Sequence, residues 1–183
     1  MNLHKLTHGT EAGGPVLWPN VYRRERTTGP DRLAIAPRRE PLEVLCVLAE
    51  AIGPEYFALY VHSVARSDCA PGRYESPPLQ LVDVKIFVAE YSAMLENDAR
   101  HELWIGSTTG RGMLVYDEHG LIFAYGPLDD LRRSLLGMGF SEGDFSIPAP
   151  HTHHFHSEYD DDVRRLLSHW EWHHTELRPE DER

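Results

Sequence analysis

Four of the twelve histidines, His151, His153, His154 and His156, fall within six positions of the stretch "PAPHTHHFHSEYDDD". Imidazole is a ligand for zinc, nickel and similar borderline ions, provided that several rings converge on one point. In extended backbone the side chains alternate, so His151 and His153 face one way while His154 and His156 face the other. Further on, His169 and His173 are four residues apart, the spacing at which a helix sets two side chains next to each other. Asp162 lies seven residues before His169, on nearly the same stripe. A divalent metal such as zinc, held by loop and helix histidines drawn from His151, His153, His156, His169 and His173, is the site these spacings allow. The same residues also read as a polar rim. "HWEWHH" has Trp170 where the zinc-protease helix needs glutamate, and Asp160, Asp161 and Asp162 suit the first turn of any helix through its dipole.

Other constellations are weaker. Cys69 and Arg73 are separated by three residues rather than the five of a phosphate-binding cysteine loop, and Cys46 lies in an apolar helical pattern, so the two cysteines suggest neither a disulfide framework nor a nucleophile. His62, Ser63 and Asp68 contain the side chains of a triad, but no G-x-S-x-G elbow accompanies them. "GSTTGRG" sits between two strand patterns and reads as a hairpin turn rather than a phosphate cradle, and neither a dinucleotide fingerprint nor a P-loop is present. The sequence thus names no catalytic or cofactor-binding residue.

The elements that position these residues follow from periodicity. After Pro41, Leu42, Leu45, Cys46, Leu48, Ala49 and Ile52 recur at helical spacing until Gly53 stops them. "PEYFALYVHSVARSD" fits either a helix or a strand, and Pro54 and Glu55 in a first turn favour the helix. From Ser76, a capping residue, a long amphipathic helix runs through Leu81, Val84, Phe87, Val88, Tyr91, Met94 and Leu95. The period then switches to two: "ELWIGS", "GMLVYD" and "LIFAYG" predict an antiparallel meander of three to four strands. Leu128, Leu131, Leu135 and Leu136 predict a short helix, and Glu158 to Trp172 a last one with Tyr159, Val163, Leu166, Leu167 and Trp170 inward. Helices before and after a meander predict an α+β fold with the sheet covered on one face.

Residues 1–40 hold "GGP", "WPN", "TGP" and "APRREP" and read as an irregular arm anchored by Val16, Leu17, Trp18, Val21 and Tyr22; residues 41–183 read as a single α+β domain. The arm is net basic, with seven Lys or Arg against four acids, which leaves 11 basic and 25 acidic residues in the remainder of a chain whose net charge is −11. An acidic body repels nucleic acid and steers a basic partner toward it. With no signal-peptide pattern and no apolar run of membrane-spanning length, the expected setting is cytoplasmic, away from membranes, as a monomer or homodimer. Two functions fit. One is a non-catalytic binding protein, of the kind that neutralises a basic toxin as an immunity protein does, with Asp160, Asp161, Asp162 and Trp172 at the interface. The other is a metal-dependent enzyme or metal sensor built on the C-terminal histidines.

Overall fold

The computed structural model describes residues 3–10, 12–64 and 69–181. It has an α+β fold, with four helices and eleven strands among the described residues. The strands are β1 (Leu6–His8), β2 (Val21–Glu25), β3 (Arg32–Ala36), β4 (Tyr56–His62), β5 (Gly72–Glu75), β6 (His101–Ser107), β7 (Met113–Tyr116), β8 (Ile122–Tyr125), β9 (Ser141–Glu142), β10 (His151–His153) and β11 (His173–Thr175). The helices are α1 (Pro41–Ile52), α2 (Leu81–Asn97), α3 (Leu128–Gly137) and α4 (Asp160–Leu167). Nine strands form one sheet in the order β11-β5-β4-β6-β7-β8-β3-β2-β9, while β1 and β10 pair separately. Every pair is antiparallel except β2 with β9. Among the described residues, no helix is long and apolar enough to cross a membrane.

The meander β6–β7–β8 forms where the period-two pattern places it, and its inward residues Leu103, Ile105, Leu114, Tyr116, Ile122 and Ala124 are buried in one core with Leu42, Leu45, Leu48 and Ile52 of α1 and Phe87, Met94 and Leu95 of α2. Helices therefore cover one face of the sheet, the arrangement that lets both amphipathic elements bury their apolar sides. α2 begins at Leu81 rather than near Ser76: the Asp83 carboxylate accepts the Gln80 backbone N–H at 2.8 Å. Ser76 instead accepts the Ala58 N–H at 2.9 Å, tying the approach to α2 onto β4.

Three segments depart from the sequence expectation. Residues 56–62 are a strand, not a helix. β4 lies between β5 and β6, and five consecutive residues from Ala58 to His62 are buried, so two covered faces blur the alternation that would mark a strand. The turn before it is left-handed, with φ of 94° at Gly53 and 61° at Glu55, so Pro54 and Glu55 reverse the chain instead of opening a helix. The continuation over residues 65–68 lies outside the described residues. Second, residues 1–40 contribute more than an irregular arm, since β2 and β3 form a hairpin within the main sheet. Its arginines hid the strand pattern: Arg23 and Arg32 flank Glu25 in paired ion contacts of 2.8 Å, which lets charged side chains stand on a sheet surface. Third, α4 stops at Leu167, earlier than Trp172. The Ser168 hydroxyl donates to the carbonyls of Arg164 and Arg165, and the Trp172 indole donates to the Leu166 carbonyl at 3.0 Å, so the terminal carbonyls are satisfied by the chain folding back.

A candidate metal centre

His151 and His153 stand on β10, whose i and i+2 side chains share a side, as the sequence requires. β1 fixes that strand, with Leu6 opposite His153 and His8 opposite His151. The third residue they meet is His119, in the tight turn between β7 and β8. Its ring centroid lies 5.3 Å from that of His151 and 4.8 Å from that of His153. One ring nitrogen from each of the three lies within 4.8 Å of the others. Tetrahedral Zn–N bonds of 2.0–2.1 Å place ligand nitrogens about 3.3 Å apart, so small side-chain rotations close the difference.

One carboxylate builds the turn that carries His119. Asp117 accepts the backbone N–H of His119 at 3.1 Å and of Leu121 at 2.7 Å through one oxygen, and faces His119 Nδ1 at 3.0 Å through the other. Gly120 takes φ of 80°, a conformation that side chains resist. Glu118 Oε1 lies 3.3 Å from the same Nδ1. A carboxylate on Nδ1 fixes the imidazole tautomer with Nε2 as the lone-pair nitrogen, the usual second layer of a metal site. His151 repeats the pattern, its Nδ1 2.6 Å from the Pro148 carbonyl. Nε2 of His153 is buried without a hydrogen-bond partner among the described residues. Burial, then the neighbouring His119, pushes the His153 imidazole down to about 4, which keeps it neutral and able to donate its lone pair.

The N-terminal segment holds the whole arrangement. Besides β1, the Trp18 indole donates to the His119 carbonyl at 3.0 Å and the Lys5 ammonium donates to the Asp117 carbonyl at 3.3 Å. Buried Lys5 is pushed down to about 8 by desolvation, against the pull of Asp117 and Asp98. From the other side, Arg100, fully buried, makes two hydrogen bonds of 2.8 Å to Asp98, pairs with Asp160 and donates to the His156 carbonyl. Burial works against a charged Asp98, yet the hydrogen bonds from Arg100 outweigh it and hold the carboxylate below its usual range. The segment leaving β10 is thereby pinned to the start of β6.

The remaining histidines named from the sequence lie elsewhere. His156 places Nε2 3.0 Å from the His4 carbonyl, pointing away from His151 and His153 as the alternation demands. His169 lies past the end of α4 with Nδ1 3.3 Å from the Tyr91 hydroxyl and its ring edge-on to Phe87, in the helical layer. His173 is in β11 opposite Glu75, at the edge of the sheet. The two are not neighbours on a helix, because the helix has already ended, and they do not join His151 and His153. Of the expected partner-binding residues, Asp160 holds Arg100, Asp161 and Asp162 pair with Arg164 and Arg165, and Trp172 packs at 5.0 Å on Trp170. His119 was findable in principle: the stretch "DEHG" combines a turn-organising aspartate with an imidazole inside the meander's tight reversal, but nothing local says which strand the turn faces.

Against known proteins, no family, no curated protein and no solved structure matches the chain.

Proposed function

We propose that this protein is a metal-dependent enzyme that holds one divalent ion, of the zinc class, through His119, His151 and His153. The observation that carries this reading is the convergence of three imidazoles at the edge of a cavity, two with Nδ1 secured by Asp117 and the Pro148 carbonyl and one with a buried, unpartnered Nε2. Three protein ligands with room for a fourth is the pattern of catalytic rather than structural zinc, in which the open position takes water or a substrate oxygen and the ion lowers the pKa of bound water to about 7. His119 and Asp117 line a cavity of about 460 Å³, and His153 and Glu118 line a second of about 430 Å³, with Glu102 and Asp181 in both linings. A substrate entering either cavity would therefore meet one of the histidines that would hold the ion.

Dialysis of tag-free protein against zinc followed by elemental analysis tests the reading. The wild type retains a single tightly bound ion per chain, and both His119→Ala and His153→Gln retain none while their circular dichroism matches the wild type. Full occupancy in either variant, or negligible occupancy in the wild type, overturns it.

A further inference from the structure

The cavity beside the histidines has a shape and charge that select its ligand. On the sheet face away from the main helical layer, Trp104 of β6 stands opposite Val115 of β7, which stands opposite Phe123 of β8. Ala34 of β3 follows Phe123 in the same row. A large residue, a small one and a large one on three neighbouring strands make a slot: β6 and β8 are two strand spacings, about 9.5 Å, apart, and only the short valine fills the middle. Trp104 and Phe123 are half-buried, whereas Leu103 and Ile122, their neighbours on the helical face, are fully buried. The slot is walled by Ile147, is lined by His119 at one end and Tyr125 at the other, and belongs to the cavity of about 460 Å³, within the range of small-molecule sites.

The two arginines against the slot's aromatic rings are already committed. Arg32 lies 4.0 Å over the Phe123 ring, bonded to Tyr125 and Glu25, and Arg73 lies 5.0 Å from the Trp104 ring, bonded through two contacts of 2.7 and 2.9 Å to Asp181. Carboxylates complete the lining, with Glu102 accepting the Trp104 indole N–H at 2.8 Å. Among the described residues that line the cavity, the arginine is already engaged, and none is left to face a phosphate or a multiply charged acid.

We infer that the slot takes a small, flat ring-bearing molecule whose oxygen-donor head completes the metal's coordination, the ring entering between Trp104 and Phe123 above Val115. The inference rests on the metal reading. An aromatic ring inserted there lies between two aromatic side chains, and with the arginines of the described residues around it already engaged, the ion is left to hold the polar head.

Benzohydroxamate and acetohydroxamate share one chelating head and differ only in the ring, so they separate the slot from the metal. Affinities of both for zinc-loaded protein are measured by calorimetry, beside inorganic phosphate, after elemental analysis has verified zinc content. The expected result is a preference of roughly tenfold or more for benzohydroxamate, the scale of burying one ring, abolished in Trp104→Ala with zinc content unchanged. Phe123→Ala gives a second reading of the same wall should Trp104→Ala fold poorly. Equal affinities, a ring preference that survives both variants, loaded protein that binds neither hydroxamate, or tighter binding of phosphate overturns the slot while leaving the metal centre standing. Failure to load zinc at all overturns both.

Discussion

The two faces of the central sheet are built from the same strands, yet they do different physical work. Toward the helices, Leu103, Ile105, Leu114 and Ile122 are fully buried among α1 and α2 side chains, a layer whose chemistry is uniform burial. On the opposite face the next residues along, Glu102, Trp104, Val115 and Phe123, stand with arginines, carboxylates and an open cavity, and the histidines gather at one end. A strand's alternation assigns neighbouring residues to opposite faces, so Leu103 and Trp104, one residue apart, belong to stability and to ligand access respectively.

The sharpest way to break that contrast is to truncate both neighbours. Leu103→Ala leaves a cavity in a closed core and costs about 3 kcal/mol by urea denaturation, whereas Trp104→Ala, on a half-open slot, costs about 1 kcal/mol or less. Equal losses would mean that the second face is as much a structural core as the first.

A pH-dependent effect probes a polar patch in the helical face. Both ring nitrogens of His62, Nδ1 of His101 and the Tyr60 hydroxyl are buried without hydrogen-bond partners among the described residues. Burial and the charge of Arg100 push His62 down to about 4, against the pull of Asp98; burial and Lys5 push His101 down to about 3, again against Asp98. Because the unfolded chain takes up these protons first, at about 6.5, stability is complete above that pH and erodes as pH falls toward the folded values. The slope approaches about 1.4 kcal/mol per pH unit for each histidine. Urea midpoints followed from pH 7.5 to 4.5 show this decline, shallower in His62→Phe; identical slopes would show that His62 does not titrate on unfolding.

How much of this was legible in the sequence differs between the faces in the same way. The helical layer and meander announce themselves because burial on one side leaves a period: Leu42 to Ile52 and Val84 to Leu95 recur at helical spacing and are buried as that spacing requires. β4 was hidden because it is covered on both sides, and β2 and β3 because paired ion contacts replace apolar residues on their outer surface. The histidine pair on β10 was readable, since alternation alone puts His151 with His153 and sends His156 away. Their partner was not, because His119 is 32 residues earlier and reaches them only through the pairing of β1 with β10 and the clasp of Trp18 and Lys5 on its turn. Helical spacing at His169 and His173 misled for a local reason: Ser168 closes α4 before either is reached.

Zinc affinity of two double variants compares those two histidine groups directly. Competition with a chromophoric chelator, at neutral pH and on tag-free protein, measures wild type, His151→Ala with His153→Ala, and His169→Ala with His173→Ala. The β10 pair abolishes tight binding, because His119 alone leaves the ion mostly to water, and the C-terminal pair binds as the wild type does. Retention of wild-type affinity without His151 and His153, or its loss without His169 and His173, would contradict a metal centre at His119, His151 and His153.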